Sequence, residues 1–264
     1  MIRNREMKSI MVSDLGVVNN ELTEKVLDTI GKENIQELVE QNSHFRELMV
    51  GYRCAIMEIE TKFKVLNEEF SWQNDRNPIE SIKARLKEPL SILNKMQLKD
   101  VPLNFESMEK NILDIAGVRV ICSFESDVYF LAGCLARQTD IEVIKIKDYI
   151  KNPKPTGYRS YHMTVRIPIF FANETKLVPV EIQFRTIAMD FWASLEHNIL
   201  YKKNLADSEE IADALRDCAD ASRGLDEKME DLLHLAKEKH KGLFLNNFVY
   251  DIAIGKIITD EEKT

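Results

Sequence analysis

The chain has 264 residues, 44% apolar and 30% charged, with a formal net charge of −8. That is enough apolar material for one large domain with helical additions, and the acidic balance argues against a general nucleic-acid-coating protein, which would be strongly basic. Cys54, Cys122, Cys134 and Cys218 form no C-x-x-C pair, no run reaches the ~18 apolar residues of a membrane span, and MIRNREMKSIMVSD lacks the apolar core of a signal peptide, so a cytoplasmic protein with reduced thiols is expected.

Residues 1–20 read as a loose polar tail and 21–76 as a helical region, in which Ile56, Ile59, Phe63 and Leu66 recur at helical spacing. In ESIKARLKE (80–88) Ile82, Ala84 and Leu86 alternate with Lys83, Arg85 and Lys87, the pattern of a half-buried strand with a basic face. Pro89 suits the first turn of a helix reaching about Met96. The pattern then predicts a helix over 105–115, a β-branched strand over 117–124, a helix over 127–138 and a strand over 141–147. YHMTVRIPIF and LVPVEIQFRT read as two strands joined through FANETK. Helices follow over 187–203 and 207–241, the second with Leu225, Met229, Leu232 and Leu235 at helical spacing; GLFLNNFVYDIAIGKIITDEEKT fits no single pattern. Strands alternating with helices, plus a hairpin, predict an α/β (α+β) fold with a mixed sheet. Its core spans 77–205, followed by a C-terminal helical extension and tail over 206–264.

The polar faces of these strands carry the candidate chemistry. Glu181, Gln183 and Arg185 share one face of their strand, and Asp114 lies just before the strand that opens at Gly117. Two carboxylates at neighbouring strand ends would suit Mg²⁺, which takes one or two carboxylates plus substrate phosphates; a solvated sheet face and a helix cap are the plainer alternatives. From Lys145 to Arg166 six cations face one acid, Asp148, a local surplus of five positive charges in an acidic chain. Lys83, Arg85, Lys87, Lys95 and Arg119 form a second basic group. Together they suit polyphosphate, or else two solvated faces. NPKPTGYRSYH sets Lys154, Tyr158, Arg159 and His162 around a Gly turn, where Tyr158 could stack on a nucleobase. Asp190, Ser194, His197 and Tyr201 form one helical stripe, and the Asp190 carboxylate could accept from two adjacent guanine donors, or simply be exposed. Phe191, Trp192, Leu195 and Ile199 read as core. There is no P-loop, no dinucleotide fingerprint and no G-x-S-x-G nucleophile turn.

Four ordered stretches, ARLKEPLSILNKM, DIAGVRVICSF, KDYIKNPKPTGYRSYH and VEIQFRTIAMDFWASLEH, resemble the synthetase domain of the RelA/SpoT homologues, most of all the single-domain, RelQ-like small alarmone synthetases. The likeness covers about residues 45–205. It implies a nucleotidyltransferase-like mixed sheet flanked by helices. It also implies Mg²⁺-dependent transfer of pyrophosphate from ATP to the 3′-hydroxyl of GDP or GTP, giving ppGpp or pppGpp and AMP in stress signalling. Asp114 and Glu181 match the family's metal-binding, catalytic carboxylates. Arg85 and Arg119 match residues around the ATP adenine, with Lys87, Ser91 and Lys95 on its phosphate side. Tyr158 matches the guanine-stacking tyrosine, Lys154, Arg159 and His162 the acceptor-phosphate surroundings, and Gln183, Asp190 and His197 the guanosine-side motif.

Where the family usually has GYRSLH and EIQIRT, this chain has Tyr161 and Phe184, both facing the core, so repacking is expected there and not lost chemistry. No His-Asp dipeptide of a hydrolase domain is present, so synthesis without hydrolysis is expected. The likeness further implies a homotetramer, and the basic strips could also take single-stranded RNA as a regulator. The contrasting reading is a catalytically idle guanine-nucleotide or RNA sensor on the same fold; retention of Asp114, Glu181 and Tyr158 together favours the enzyme.

Overall fold

The computed structural model describes residues 42–73, 76–200 and 209–240. The 1–20 tail, the start of the N-terminal helical region, the end of the 187–203 helix with Tyr201, and the closing GLFLNNFVYDIAIGKIITDEEKT lie outside the described residues. In chain order the elements are α1 (Asn42–Gln73), β1 (Ile79–Leu86), α2 (Pro89–Leu98), α3 (Phe105–Asn111), β2 (Ala116–Cys122), α4 (Glu125–Ala136), β3 (Glu142–Asp148), β4 (Tyr161–Phe170), β5 (Thr175–Thr186), α5 (Ile187–Leu200) and α6 (Glu209–His240).

The strands form one mixed sheet in the order β1-β2-β5-β4-β3. Only β2 and β5 run parallel; every other pair is antiparallel. Alternation puts Val118, Val120, Met163, Val165, Ile182 and Phe184 on one face, all buried, under α1 and α4. Ile59 and Phe63 of α1 are fully buried there, and Phe63 meets Phe184 edge-on at 5.7 Å between centroids. Each such side chain contributes about 1.5–3 kcal/mol by leaving water. Phe184 is itself fully buried, and Tyr161 is half-buried edge-on to Tyr129 at 5.5 Å.

The other face is polar, and register fixes what meets across it. One row runs Lys147, His162, Gln183, Arg119, Lys83. The next runs Lys145, Thr164, Glu181, Gly117, Arg85. Strands lie ~4.8 Å apart, so glycine at 117 leaves a gap of about 10 Å between the Glu181 and Arg85 backbones. A Cβ there would sit 3.5 Å from the Arg85 carbonyl, an ordinary contact; what the glycine supplies is open floor.

Two expectations change. The helix expected over 105–115 ends at Asn111: Asn104 caps its start by accepting from Ser107 N–H, but Ile112 leaves helical geometry at φ −111°, ψ 81°. Ile112 and Ile115 are both fully buried, and unwinding lets both reach the core while Asp114 turns to the polar face. On α5, Trp192 is buried as expected, but Phe191 and Leu195 are exposed. The helix turns Met189, Trp192 and Ala193 inward, leaving Phe191 and Leu195 on its outer side.

Candidate active site

Asp114 sits at the entry to β2 between two ammonium groups. Lys87, whose backbone N–H extends the strand pairing to the Ile115 carbonyl (2.8 Å), donates to Asp114 Oδ2, and Lys95 of α2 donates to the same oxygen at 2.5 Å. Burial pushes the Asp114 carboxyl up, but the two lysines outweigh it and hold it below the ordinary carboxylate range. Its other oxygen, Oδ1, is buried with no hydrogen-bond partner among the described residues. An orphaned buried anionic oxygen is costly unless something else satisfies it. Ser91 is half-buried in the first turn of α2, and Arg85 is exposed opposite Gly117.

Glu181 points from β5 onto the same face, close enough that the Asp114 charge acts on it. It accepts from Gln183 Nε2 at 2.7 Å, and His162 Nδ1 lies 3.5 Å from its Oε1. Burial raises its pKa, yet the hydrogen bond and charge of His162, with Gln183, leave the carboxyl below its ordinary range.

The β4 end holds an aromatic group. Tyr158 Oη shares a 2.8 Å hydrogen bond with His162 Nε2 and accepts from Arg185 Nη2 at 2.9 Å. The Arg185 guanidinium lies 5.2 Å from the Tyr158 ring centre, and Lys154 Nζ lies 4.8 Å from it and 5.0 Å from Tyr149. Pro155 and Gly157 build the turn: Gly157 N–H reaches the Lys154 carbonyl at 2.8 Å, and Gly157 takes φ +88°, a left-handed conformation that favours glycine. Asp190, at the start of α5, accepts from Lys83 at 3.0 Å, Arg119 at 3.0 Å and Arg185 at 3.1 Å. Burial raises its pKa, but those cations overcome this and it stays low.

The open face therefore gathers Asp114, Glu181, Lys87, Lys95, Arg119, His162, Gln183, Tyr158, Lys154 and Asp190. His197 lies two turns further along α5, exposed. Arg159 does not join them: it is only 6% exposed and turns away, pairing with Asp226 of α6 at 2.7 Å and Glu125 at 3.8 Å. Arg166 likewise pairs with Glu142 at 3.1 Å, at the far end of β4. Arg185 and Lys83, which the sequence offers only as members of a polar strand face and a basic group, meet at Asp190, while Tyr149 carries no sequence signal at all. The first two share the alternating polar faces of Glu181 and Arg85; Tyr149 lies between β3 and β4, outside any alternating segment. Among the described residues no group of three or more His, Cys, Asp or Glu forms a ready metal cage.

Two carboxylates thus lie between a lysine pair on one side and an aromatic group on the other, an arrangement whose chemistry suits polyphosphate and a flat base. The family described as "Region found in RelA / SpoT proteins" matches residues 84–206. The GTP pyrophosphokinase YwaC of Bacillus subtilis (strain 168) is 45% identical over 183 residues, 69% of this chain and 87% of its own length. The GTP pyrophosphokinase YjbM of the same organism is 36% identical over 192 residues, 72% of this chain and 89% of its own. Among solved structures, small alarmone synthetase 1 from B. subtilis bound to its product pppGpp superposes with a TM-score of 0.68 at 36% identity, covering 72% of this chain and 97% of that one. Small alarmone synthetase 2 from B. subtilis gives 0.65 at 42% identity, covering 74% and 98%. This chain belongs to the RelA/SpoT family.

Proposed function

We propose that the chain is a small alarmone synthetase: it transfers the β,γ-pyrophosphate of ATP to the 3′-hydroxyl of GDP or GTP, releasing AMP and forming ppGpp or pppGpp. The observation that carries this reading is the placing of Asp114 and Glu181 on one open sheet face, between a lysine pair and the Tyr158 platform. Relatives named GTP pyrophosphokinase and the solved complexes of a relative with pppGpp and with AMPCPP support it.

Tyr158 presents its ring to guanine, with Lys154 above the same ring for the acceptor's phosphates. Asp190 and Gln183 line the guanosine side, and binding there exchanges some of their present cation contacts for base donors. Lys87, Lys95 and Ser91 take the donor phosphates, and Arg85 and Arg119 flank the adenine. The 3′-oxygen attacks the β-phosphorus; the bond from that phosphorus to the bridging oxygen breaks, and AMP leaves with it. Glu181 Oε1 receives the hydroxyl proton. Ionised at neutral pH and fixed by Gln183 and His162, it orients the hydroxyl as much as it deprotonates it, so alignment supplies much of the rate.

The orphaned Asp114 Oδ1 and the nearby Glu181 fit Mg²⁺, a hard cation that takes few protein carboxylates and completes its shell with phosphate and water. Bound there, Mg²⁺ would offset charge developing on the pyrophosphate and leaving oxygens. Among the described residues no helix is long and apolar enough to cross a membrane, and we place the enzyme in the cytoplasm. Exposed apolar faces, Ile187, Phe191 and Leu195 on α5 and Leu225, Met229, Leu232 and Leu235 on α6, support a homo-oligomer, a tetramer by family likeness; single-stranded RNA on the basic strips would be a regulator. No hydrolysis is expected.

The test is thin-layer analysis of the purified chain with labelled ATP and GDP or GTP, with Mg²⁺ and with a chelator. Labelled ppGpp or pppGpp should form only with the metal. A protein that binds GDP tightly yet makes neither product would be the idle sensor instead.

A further inference from the structure

We infer that α6, outside the catalytic sheet, forms the back wall of the acceptor site, and that Asp226 on it is a positioning residue for the guanine-binding loop. This rests on the reading of Tyr158 as the guanine platform. Three consecutive loop residues lean on this helix or on the small core it shares with α5, each by different physics.

Gly157 touches it by close approach. A Cβ built on Gly157 would come within 2.5 Å of Ala219 Cβ and 3.8 Å of Arg216 Cα. The helix fits only because residue 157 has no side chain and residue 219 has almost none. Tyr158 leans on the apolar core that this helix shares with α5. Trp192 and Ala193 of α5 pack with Leu215 and Ala219 of α6 into a small core separate from the main one, and Tyr158 is half-buried against it. Trp192 Nε1 locks this cluster by donating to the Leu215 carbonyl at 2.8 Å. Arg159 touches it by charge, through the 2.7 Å pair with Asp226.

The Asp226 pair is wired into the sheet. Asp226 Oδ2 also accepts from Thr186 Oγ1 at 3.0 Å, and that hydroxyl accepts from Met189 N–H at 3.1 Å. One carboxylate therefore ties the guanine loop, the end of β5 and the start of α5 to α6. Both side chains are nearly fully buried. A buried ion pair is weak evidence for stability, because desolvation offsets attraction; its better-attested use is to fix one arrangement. Here the arrangement fixed is that of the residue next to Tyr158. Arg159 thus acts through the loop and not on phosphate.

The experiment is steady-state kinetics on the full chain with GDP and ATP varied in turn. Asp226→Asn keeps the shape and removes the charge. It should raise KM for GDP roughly tenfold, since small misplacements of a binding group are costly, while KM for ATP and kcat stay within about twofold. Asp226→Glu, which restores the charge, should recover much of the loss. Tyr158→Ala is the reference. If it leaves KM for GDP unchanged, the acceptor reading itself fails. If it raises KM for GDP and Asp226→Asn does not, the positioning role fails, and an equal loss on both substrates overturns it too. Should Asp226→Asn not fold, the wild-type chain decides: GDP, and not a non-hydrolysable ATP analogue, should slow amide exchange over residues 215–226, and unchanged exchange there overturns the inference.

Discussion

Glu181→Gln is the substitution that most directly probes the proposed chemistry. It is nearly isosteric, and the local hydrogen bonds can survive it. The new amide oxygen can still accept from Gln183 Nε2, now at 2.7 Å from Glu181, while the amide nitrogen turns toward His162 Nδ1, now 3.5 Å away. The fold should therefore hold. What is lost is a charge near Asp114 and, on the proposed reading, the carboxylate that takes the 3′-hydroxyl proton. General base catalysis is typically worth 10²–10⁴-fold, about 3–5 kcal/mol of barrier, and loss of a proposed Mg²⁺ ligand would add to it. Product formation from labelled ATP and GDP should fall by at least about a hundredfold, with the thermal midpoint shifted by only a few degrees. A soluble, folded variant keeping more than about a tenth of the wild-type rate would refute the assignment of Glu181.

Tyr158→Ala should raise KM for GDP or GTP by about 5- to 150-fold, the range of a lost base–aromatic stack of 1–3 kcal/mol, with KM for ATP nearly unchanged; equal effects on both substrates would contradict its place on the acceptor side. Arg76→Ala should lower stability without touching chemistry. Its guanidinium grips buried Asp127 through two bonds of 2.6 and 2.7 Å, and losing them should cost about 2 kcal/mol, or about 4–8 °C in Tm. An unchanged melting curve would count against it. Asp190 is held below its ordinary value of 3.8, so its contribution to stability is present above that pH and is lost as pH falls through its lower folded-state value. Asp190→Asn should flatten the acid limb of a denaturant-midpoint titration; an unaltered limb would mean the three cations around Asp190 do not stabilise its charge.

The sequence made the strands and their faces legible because a two-residue period needs only neighbours. LVPVEIQFRT puts Glu181, Gln183 and Arg185 on one side whatever the rest of the chain does, and β4 runs over Tyr161–Phe170 as its alternation predicts. What alternation cannot carry is who sits opposite. Gly117 beside Glu181 depends on a parallel pairing between strands far apart in the chain, and Arg159 depends on a partner on α6. Read locally, Arg159 is one more cation in a basic loop; only the packed helix reveals that its charge is already matched. Phe191 and Leu195 misled for a related reason. A helix with apolar residues most of the way round offers several inward faces, and α6 selects the one bearing Trp192.

The strand order has a consequence for how this enzyme comes into being. Among the described residues β5 is the last strand in sequence yet lies between β2 and β4, so without it the sheet is two separate antiparallel pairs. A nascent chain that has not reached Thr175 lacks the seam between those halves, and also Glu181, Gln183 and Arg185. Long-range pairing of this kind is paid for late in folding. Completion of the sheet is therefore also the step that sets Glu181 beside Gly117 and near Asp114, and a chain ending before Thr175 lacks that half of the site.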